Sequence, residues 1–416
     1  MPEDNSPQFN RNRLIVLALL LTFAFAVVIA QLVKYQVVRH PEMKGMAEDQ
    51  RFVKRNVLPP RGIIYDINRH PLAMNSVLWD VSVSPSLVSS AEKTSAQLSE
   101  LLSMEQAEVF TTLTADVPWI RLRRHVPLDV GEQIRQLDAN GVSCEPVPKR
   151  VYPNGVLFAH LVGIVTDVGD GFYGVEGYYN QTLKGHAGVE LIEQDPRGAP
   201  LPIPVHDREP AQQGDSLVLT VDSNIQHIVL QELENALETY GAEKGTVVVM
   251  NPQTGAILAS ASLPLYNPNA FADTDMKMLA DPVVSSMWEP GSIFKIITWS
   301  TGLDTGTIRP GTTFDDVGTA EVGGRVIYNW DRREHGLVTM GDGLTKSLNT
   351  VAAYISTSVG KEQFYAYLRR FGFDTITGVD LASEGPGMVK QPGDHDWFPS
   401  ELGTNSFGQG VAVTPV

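Results

Sequence analysis

The sequence predicts a multidomain α+β protein that begins with a membrane-spanning helix. Residues 14–33 are an apolar run interrupted only briefly by polar residues, and about 20 apolar residues span a bilayer as a helix. Strand-like and helix-like segments then follow one another irregularly over the first half of the chain. Beyond a proline-rich segment at 196–216, an amphipathic helix pattern and two apolar runs around a turn mark a second domain.

The composition is that of a globular protein. The chain has 416 residues, of which 43% are hydrophobic and 19% charged, enough for two or three domains with their own cores. A formal net charge of −16 argues against nucleic acid as a partner, because that needs a basic surface. Cys144 is the single cysteine, so neither an intrachain disulfide nor a thiolate zinc site is possible.

The N-terminal run favours an uncleaved anchor over a signal peptide. Ala24-Phe25-Ala26 fits a cleavage site loosely, but the apolar run continues beyond it. We therefore predict a tail at 1–13 and a transmembrane helix at 14–33. Basic residues flank the run on both sides, so the charge pattern leaves the orientation open.

Secondary structure before residue 196 is predicted as a mixture. We expect helices at 41–56 and 90–112 and strands at 63–66, 80–84, 119–126 and around 147–152. The alternation at 80–84 is typical of a half-buried strand.

A domain boundary is predicted at 210/211, with one domain at 34–210 and the next at 211–416. The second domain is expected to open with a strand at 216–221. A helix should follow, capped by Asp222 or Ser223 and ending at Gly241. Its predicted buried face is Ile225, Val229, Leu233, Ala236, Leu237 and Tyr240. Two apolar runs, 245–250 and 256–261, flank a Pro-and-Gly turn and predict a buried hairpin.

The segment Glu289-Pro290-Gly291-Ser292-Ile293-Phe294-Lys295 combines a turn with a hydroxyl and an amine three residues apart. Ser292 and Lys295 would share one face of a helix that is apolar nearly all round. Burial favours the neutral amine of a lysine, and a neutral amine beside a hydroxyl is a base with its nucleophile. The alternative is a capping serine followed by a surface lysine.

A second fragment, Ser347-Leu348-Asn349, supplies two further groups that such chemistry needs, a hydroxyl and an amide. A hydroxyl can relay a proton to a leaving amine, and an amide can hold the peptide group of a substrate. Lys346, directly before it, is expected to be a surface lysine, or one that contacts a site residue, rather than a base.

Together these motifs resemble those of the class B penicillin-binding proteins, of the elongation or the division type. The resemblance extends over most of the chain. Further similar blocks are Pro60–Asp66, Arg150–Gly155, Ala159–Gly163, Gly174–Tyr179, Gly245–Ser262 with Tyr266–Asn269, and Ser406–Gly410 running into Val413–Pro415.

The resemblance implies an elongated pedestal (dimerisation-type) domain at 34–210. It also implies an α/β/α transpeptidase domain of the serine β-lactamase type at 211–416. Ser292 would be the nucleophile, Lys295 the base, Ser347 the proton relay and Asn349 a substrate contact. The protein would be anchored once in the plasma membrane, with its bulk extracytoplasmic. Its partners would be peptidoglycan stem peptides, β-lactams and a membrane-embedded lipid-II polymerase. The resemblance also implies that neither a metal nor a cofactor is needed.

The third motif of the family, Lys-Thr/Ser-Gly, does not occur before Val416. We therefore expect a transpeptidase domain without its C-terminal part, and expect residues 1–416 alone to react poorly with β-lactams. Two other functions stay open: a β-lactam-hydrolysing or sensing serine enzyme, and a non-catalytic pedestal scaffold. Rapid deacylation after penicillin binding would indicate the first.

Overall fold

The structure, a computed structural model, describes residues 11–193 and 208–416. Most of the predicted tail at 1–13 and much of the proline-rich segment at 196–216 lie outside these ranges. The predicted multidomain α+β class is confirmed.

Helices are distributed along the whole described chain. In order they are α1 (Arg11–Val33), α2 (His40–Arg51), α3 (Ala91–Leu102), α4 (Gln106–Leu113), α5 (Leu128–Gln136), α6 (Ala159–Val162), α7 (Gly174–Tyr178), α8 (Asn180–Lys184), α9 (Ser223–Tyr240), α10 (Met276–Leu279), α11 (Pro282–Ser285), α12 (Lys295–Asp304), α13 (Met340–Thr345), α14 (Asn349–Val359), α15 (Lys361–Arg370) and α16 (Glu401–Asn405). A π-helical turn at Lys34–Val38 and 3₁₀ turns at Pro85–Leu87 and Gly291–Phe294 join them.

Strands are mostly short. They are β1 (Phe52–Val57), β2 (Ile64–Tyr65), β3 (Pro71–Val83), β4 (Ile120–Val126), β5 (Val142–Val151), β6 (Ile164–Val165), β7 (Gly171–Phe172), β8 (Gly188–Glu193), β9 (Arg208–Glu209), β10 (Leu217–Val218), β11 (Gly245–Met250), β12 (Ile257–Leu263), β13 (Thr313–Asp316), β14 (Thr319–Val322), β15 (Arg325–Tyr328), β16 (Gly336–Thr339), β17 (Met388–Val389) and β18 (Val411–Ala412).

Helix α1 confirms that the apolar run is helical. A stretch of 26 residues, Arg13–Val38, has a mean hydropathy of 2.7, and none of it is buried against the rest of the described chain. It is long and apolar enough to cross a bilayer. A signal sequence near the N-terminus can meet the same criteria of length and hydropathy, so the uncleaved anchor stays a prediction.

The chain forms two compact units whose segments interleave along the sequence. The first takes the chain up to Leu58, Val77–Val147 and Ala187–Ala211; the second takes Pro59–Ser76, Pro148–His186 and Gln212–Val416. The C-terminal segment of the second unit begins beside the predicted boundary at 210/211. However, two segments that were predicted to lie in the pedestal, Pro59–Ser76 and Pro148–His186, belong to the same unit as the C-terminal half. Pairing between distant residues decides which segments form one core.

The first unit has one apolar core. Its buried members are Trp79, Val81, Val83, Leu98, Leu102, Val109, Leu113, Val126 and Ile134. Helices α3 and α4 replace the single helix predicted at 90–112, because Ser103 takes a left-handed φ of 50° and ends α3. The end of the helix predicted at 41–56 is instead strand β1, which pairs antiparallel with β8.

Strand β3 also differs from its prediction. It runs from Pro71 to Val83, and its last residues are buried on both faces, so the half-buried alternation predicted for 80–84 is wrong. Asp80 tolerates burial because it accepts from the His125 backbone N–H and forms ion pairs with Arg121 and Arg124 at 3.3 and 3.6 Å.

In the second unit, helix α9 begins and ends where predicted. The Asp222 carboxylate accepts from the N–H groups of Asn224 and Ile225 at 2.8 and 3.3 Å, and Gly241 ends the helix at φ 64°. Its buried residues are Gln226, Leu230 and Leu233. The predicted face is confirmed in part: Leu233 is buried, Val229 and Leu237 are partly buried against the same cluster, and Tyr240 is exposed.

Strands β11 and β12 form the predicted antiparallel hairpin. Val247 packs with Leu230 and Leu233 of α9, whereas Val248 packs with Val283 and Val284 of α11. Since successive strand residues point to opposite faces, helices cover both sides of the hairpin, which is the α/β/α layering expected from the resemblance. Strand β11 is only half-buried, and the strand predicted at 216–221 is reduced to β10.

A large apolar cluster in the second unit includes Phe294 and Leu348, one residue from each of the two sequence motifs. Buried members from α12, α14 and α15 include Trp299, Val351, Ile355 and Phe364. Helix α12 also packs directly on α14. The starts of these two helices are where the two sequence motifs lie.

Candidate active site

The turn before Ser292 is held by the block Ser406–Gly410. The Gly291 N–H donates to the Gly408 carbonyl at 3.0 Å, and the Gly410 N–H donates to the Glu289 carboxylate at 2.7 Å. Gly408 has a φ of 75°, and a Cβ atom there would lie 2.2 Å from the Gly291 oxygen. Only glycine allows this approach. The block therefore fixes the turn that leads into Ser292.

Ser292 lies in the 3₁₀ turn Gly291–Phe294 that runs into α12, and it is exposed. The helix predicted to start at Ser292 thus begins with a 3₁₀ turn. The prediction that this helix is buried nearly all round is wrong, because Ile293 and Ile296 are 61% and 62% exposed. Phe294, Lys295, Thr298 and Trp299 form its buried side.

Lys295 is buried with only 1% of its surface exposed. Its ammonium donates to the Ser347 carbonyl at 2.6 Å, the Ser347 hydroxyl at 3.0 Å and the Asn349 side-chain oxygen at 2.8 Å. Three acceptors match the three hydrogens of an ammonium group. Burial lowers the pKa of Lys295 to about 8, in the direction expected from the sequence. The structure thus brings three of the four predicted site residues into direct contact.

Ser347 sits in an unusual backbone conformation between α13 and α14. Its φ is 55°, in the left-handed region that costs a non-glycine residue energy. The Ser347 N–H donates to the Leu344 carbonyl at 3.0 Å, and the next residue, Leu348, is fully buried. These contacts hold the turn, and the turn aims both oxygens of Ser347 at Lys295. Lys346 is exposed, as expected.

Asn349 is the first residue of α14. Its Oδ1 accepts from Lys295, and its Nδ2 donates to the Tyr328 carbonyl at 3.0 Å. Sequence reasoning missed Tyr328, because a backbone carbonyl can come from any residue type. Within residues 11–193 and 208–416 Nδ2 has no second acceptor, so its other hydrogen is available to a further carbonyl.

Ser292 and Lys295 are not hydrogen-bonded to each other within the part of the chain that the structure describes. The amine is instead engaged with Ser347 and Asn349. The spacing of three residues nevertheless keeps the two side chains within one helical turn. Catalytic hydrogen bonds often form or shorten only when substrate binds, so the missing bond does not exclude the pair. Among residues 11–193 and 208–416, no three His, Cys, Asp or Glu side chains cluster as a metal site requires.

Comparison with known proteins identifies both halves of the chain. A family model described as the penicillin binding protein transpeptidase domain matches residues 245–416. Another, described as the penicillin-binding protein dimerisation domain, matches residues 56–219.

Two relatives align over nearly the whole chain. Stage V sporulation protein D of Bacillus subtilis (strain 168) is 33% identical over 414 residues, covering 98% of this chain and 63% of that protein. Peptidoglycan D,D-transpeptidase FtsI of Escherichia coli (strain K12) is 27% identical over 384 residues, covering 90% of this chain and 64% of that protein. The chain therefore spans less than two thirds of the length of these relatives.

A solved structure shares the fold. Penicillin binding protein 2X from Streptococcus thermophilus superposes with a TM-score of 0.72 at 22% identity, covering 88% of this chain and 58% of that chain.

Proposed function

Because the chain carries the dimerisation and transpeptidase domains of the penicillin-binding proteins, and so belongs to that family, we propose that it is a peptidoglycan D,D-transpeptidase. Its substrates would be the stem peptides of peptidoglycan, and β-lactams would acylate the same serine. The observation that carries this proposal is the buried Lys295 ammonium, with a lowered pKa, bound to Ser347 and Asn349 beside Ser292.

The first half-reaction breaks the terminal peptide bond of a stem peptide. The Ser292 hydroxyl attacks the carbonyl carbon of the penultimate D-Ala, and its proton passes to neutral Lys295. The tetrahedral intermediate collapses as the C–N bond breaks, and the proton reaches the leaving D-Ala amine through the Ser347 hydroxyl. An ester between Ser292 and the stem peptide results.

The second half-reaction forms the cross-link. The amine of a neighbouring stem attacks the ester carbonyl, a new peptide bond forms, and Ser292 recovers its proton. A pKa of about 8 suits this cycle, because about a tenth of Lys295 is then neutral at pH 7 and the amine can both accept and return a proton.

Asn349 is suited to hold the substrate backbone. One Nδ2 hydrogen is bound to the Tyr328 carbonyl, and the other can donate to a peptide carbonyl of the stem. The N–H of Ser292, at the start of a helical segment, is a candidate donor to the oxyanion.

Helix α1 would anchor the protein in the plasma membrane, with residues 1–13 cytoplasmic and the remainder extracytoplasmic. Peptidoglycan is cross-linked outside this membrane, so the proposed activity requires this orientation. A membrane-embedded lipid-II polymerase is the proposed partner, because glycan strands must be polymerised before their stems are joined.

Intact mass spectrometry with peptide mapping tests the proposal on the full-length protein, meaning a form that extends through the third motif. Penicillin should add one molecule to wild type, on the peptide that contains Ser292, and none to Ser292→Ala. Incubation with stem peptides should release D-Ala and give cross-linked dimers. An adduct on Ser292→Ala would refute the nucleophile. Rapid penicillin turnover without cross-linking would indicate a β-lactam-hydrolysing enzyme, and no adduct on wild type would indicate a non-catalytic scaffold.

A further inference from the structure

We propose that Asp316 is a positioning residue for the candidate active site, and that it fixes the direction in which the Asn349 amide points. The inference rests on the proposed function, since it adds a residue to the same site. Asp316 touches neither Ser292 nor Lys295 by a hydrogen bond and acts through Asn329 and Thr350.

Asp316 ends strand β13 and is fully buried. One carboxylate oxygen accepts from the Gly318 N–H at 3.0 Å and from the Thr350 hydroxyl at 2.8 Å. The other oxygen accepts from the Asn329 amide at 2.7 Å. No basic side chain forms an ion pair with it within residues 11–193 and 208–416. A buried carboxylate without a cation is costly unless hydrogen bonds stabilise it, and here three donors do so.

The two side chains that Asp316 holds belong to residues that directly follow Asn349 and its hydrogen-bond partner Tyr328. Thr350 follows Asn349 at the start of α14, and it too is fully buried. Asn329 follows Tyr328, whose carbonyl accepts from Asn349 Nδ2 at 3.0 Å. Asn329 Oδ1 also accepts from the Thr350 N–H at 3.3 Å. Asp316 therefore ties the backbone of Asn349 to the carbonyl that receives its side chain.

The direction of the Asn349 amide decides what Lys295 meets. A carbonyl can only accept, so the Tyr328 oxygen selects the NH₂ end of the amide. The oxygen end then faces the Lys295 ammonium at 2.8 Å. If the amide turned over, its NH₂ group would face the ammonium, donor against donor, and the lysine would lose one of its three acceptors. Asp316 is well placed to prevent this, because it immobilises Tyr328 through the adjacent Asn329.

The test uses Asp316→Asn in the full-length protein. This change preserves the shape of the side chain but replaces one carboxylate oxygen by an NH₂ group. That NH₂ group must face either the Asn329 NH₂ group, or the Thr350 hydroxyl and the Gly318 N–H, and all of these are donors. We expect the acylation rate of Ser292 at saturating fluorescent penicillin to fall about 10- to 100-fold, the loss typical of a misplaced catalytic group. Asp315→Asn is the matched control, because Asp315 is the adjacent exposed residue of the same strand. It should leave the rate unchanged.

Two further sets of variants separate positioning from general damage. The double variant Asp316→Asn with Asn329→Asp restores a donor–acceptor pair between these two side chains in the opposite sense. It also sets a carboxylate oxygen against the Arg333 carbonyl, to which Asn329 Nδ2 donates at 3.2 Å, so it should recover only part of the rate. Thr350→Ser keeps the hydroxyl and should retain the rate, whereas the isosteric Thr350→Val removes it and should lose rate. The Thr350 pair decides the matter even where Asp316→Asn does not fold.

Melting temperatures are measured alongside every rate. A folded Asp316→Asn protein that is acylated as fast as wild type would overturn this inference and leave the proposed function intact. An equal rate in Thr350→Val and Thr350→Ser would do the same. A wild-type protein that penicillin does not label at Ser292 would overturn the proposed function, and this inference with it.

Discussion

The Lys295 ammonium lies 2.6 Å from the Ser347 carbonyl and 3.0 Å from the Ser347 hydroxyl. One residue thus gives the buried lysine two acceptors, and it does so from a left-handed backbone conformation with a φ of 55°. In an ordinary extended or helical conformation the two oxygens would not converge in this way. The strained turn at Ser347 is therefore part of how the lysine is held.

The acylation rate should depend on pH through Lys295. Its pKa is lowered to about 8, and the neutral amine is the proposed base, so the rate should rise with pH and level off above about 8. Below that value the rise should be about tenfold per pH unit, as for titration of a single group. Stopped-flow labelling with fluorescent penicillin between pH 5.5 and 9.5 measures the profile. A rate independent of pH between 6 and 9 would contradict the role of Lys295.

Removal of the lysine amine should slow acylation severely. Lys295→Met preserves much of the buried volume and should cost about 10²- to 10⁴-fold in rate, the usual contribution of a general base. Lys346→Met is the control, because Lys346 is exposed and immediately precedes Ser347. Its rate should match wild type. Equal losses in both variants would show that the effect comes from charge near the site and not from a base.

Two substitutions at Ser347 should separate its hydroxyl from its backbone conformation. Ser347→Ala and Ser347→Gly both remove the hydroxyl and should lose acylation rate to a similar extent. Glycine adopts a φ of 55° without the penalty of a side chain, so Ser347→Gly should be more stable than Ser347→Ala by about 1 kcal/mol. Urea unfolding compares the two. A glycine variant no more stable than the alanine variant would show that the conformation carries no strain.

Glu176 should be essential to the stability of the second unit. Its fully buried carboxylate accepts from the Arg61 and Arg150 guanidinium groups, each at 2.6 Å. Glu176→Gln leaves two buried cations without their anion and should cost about 3 to 5 kcal/mol in the free energy of unfolding. Glu243→Gln, at an exposed position, is the control. Denaturant unfolding measures the stability of both variants. Equal unfolding midpoints for Glu176→Gln and Glu243→Gln would refute the role of Glu176.

The apolar helix should remain in the mature protein as its anchor. The run continues past Ala26, the end of the best cleavage site, and forms one helix to Val33. N-terminal sequencing of protein extracted from membranes should therefore find residues 14–33 present. A mature chain that begins near Val27, released without detergent, would show that the segment is a signal peptide.

The sequence determined those features that depend on neighbouring residues. Asp222 and Gly241 predicted both ends of α9, because capping is satisfied within a few residues of the helix end. The Pro-and-Gly turn predicted the β11–β12 hairpin for the same reason. Spacing and resemblance predict Ser292, Lys295, Ser347 and Asn349 as the candidate site, since residue type and short spacing are readable in one dimension.

Tertiary structure decided which faces are buried. The hairpin against α9 buries Leu230 and Leu233 and covers Val229 and Leu237 only partly, a distinction that sequence periodicity does not make. Ile293 and Ile296 are exposed although the residues around them are apolar, because α12 is covered on one side only. Likewise, the division into two units follows from pairing between distant segments and not from position along the chain.

Tertiary structure also decided the partners of the site residues. Lys295 finds its acceptors more than 50 positions away, at Ser347 and Asn349. Asp316, Asn329 and Thr350 come from three separate segments, and none of them belongs to a motif. A hydrogen bond requires a donor and an acceptor about 3 Å apart in the correct direction, and that separation is fixed only once the core has packed.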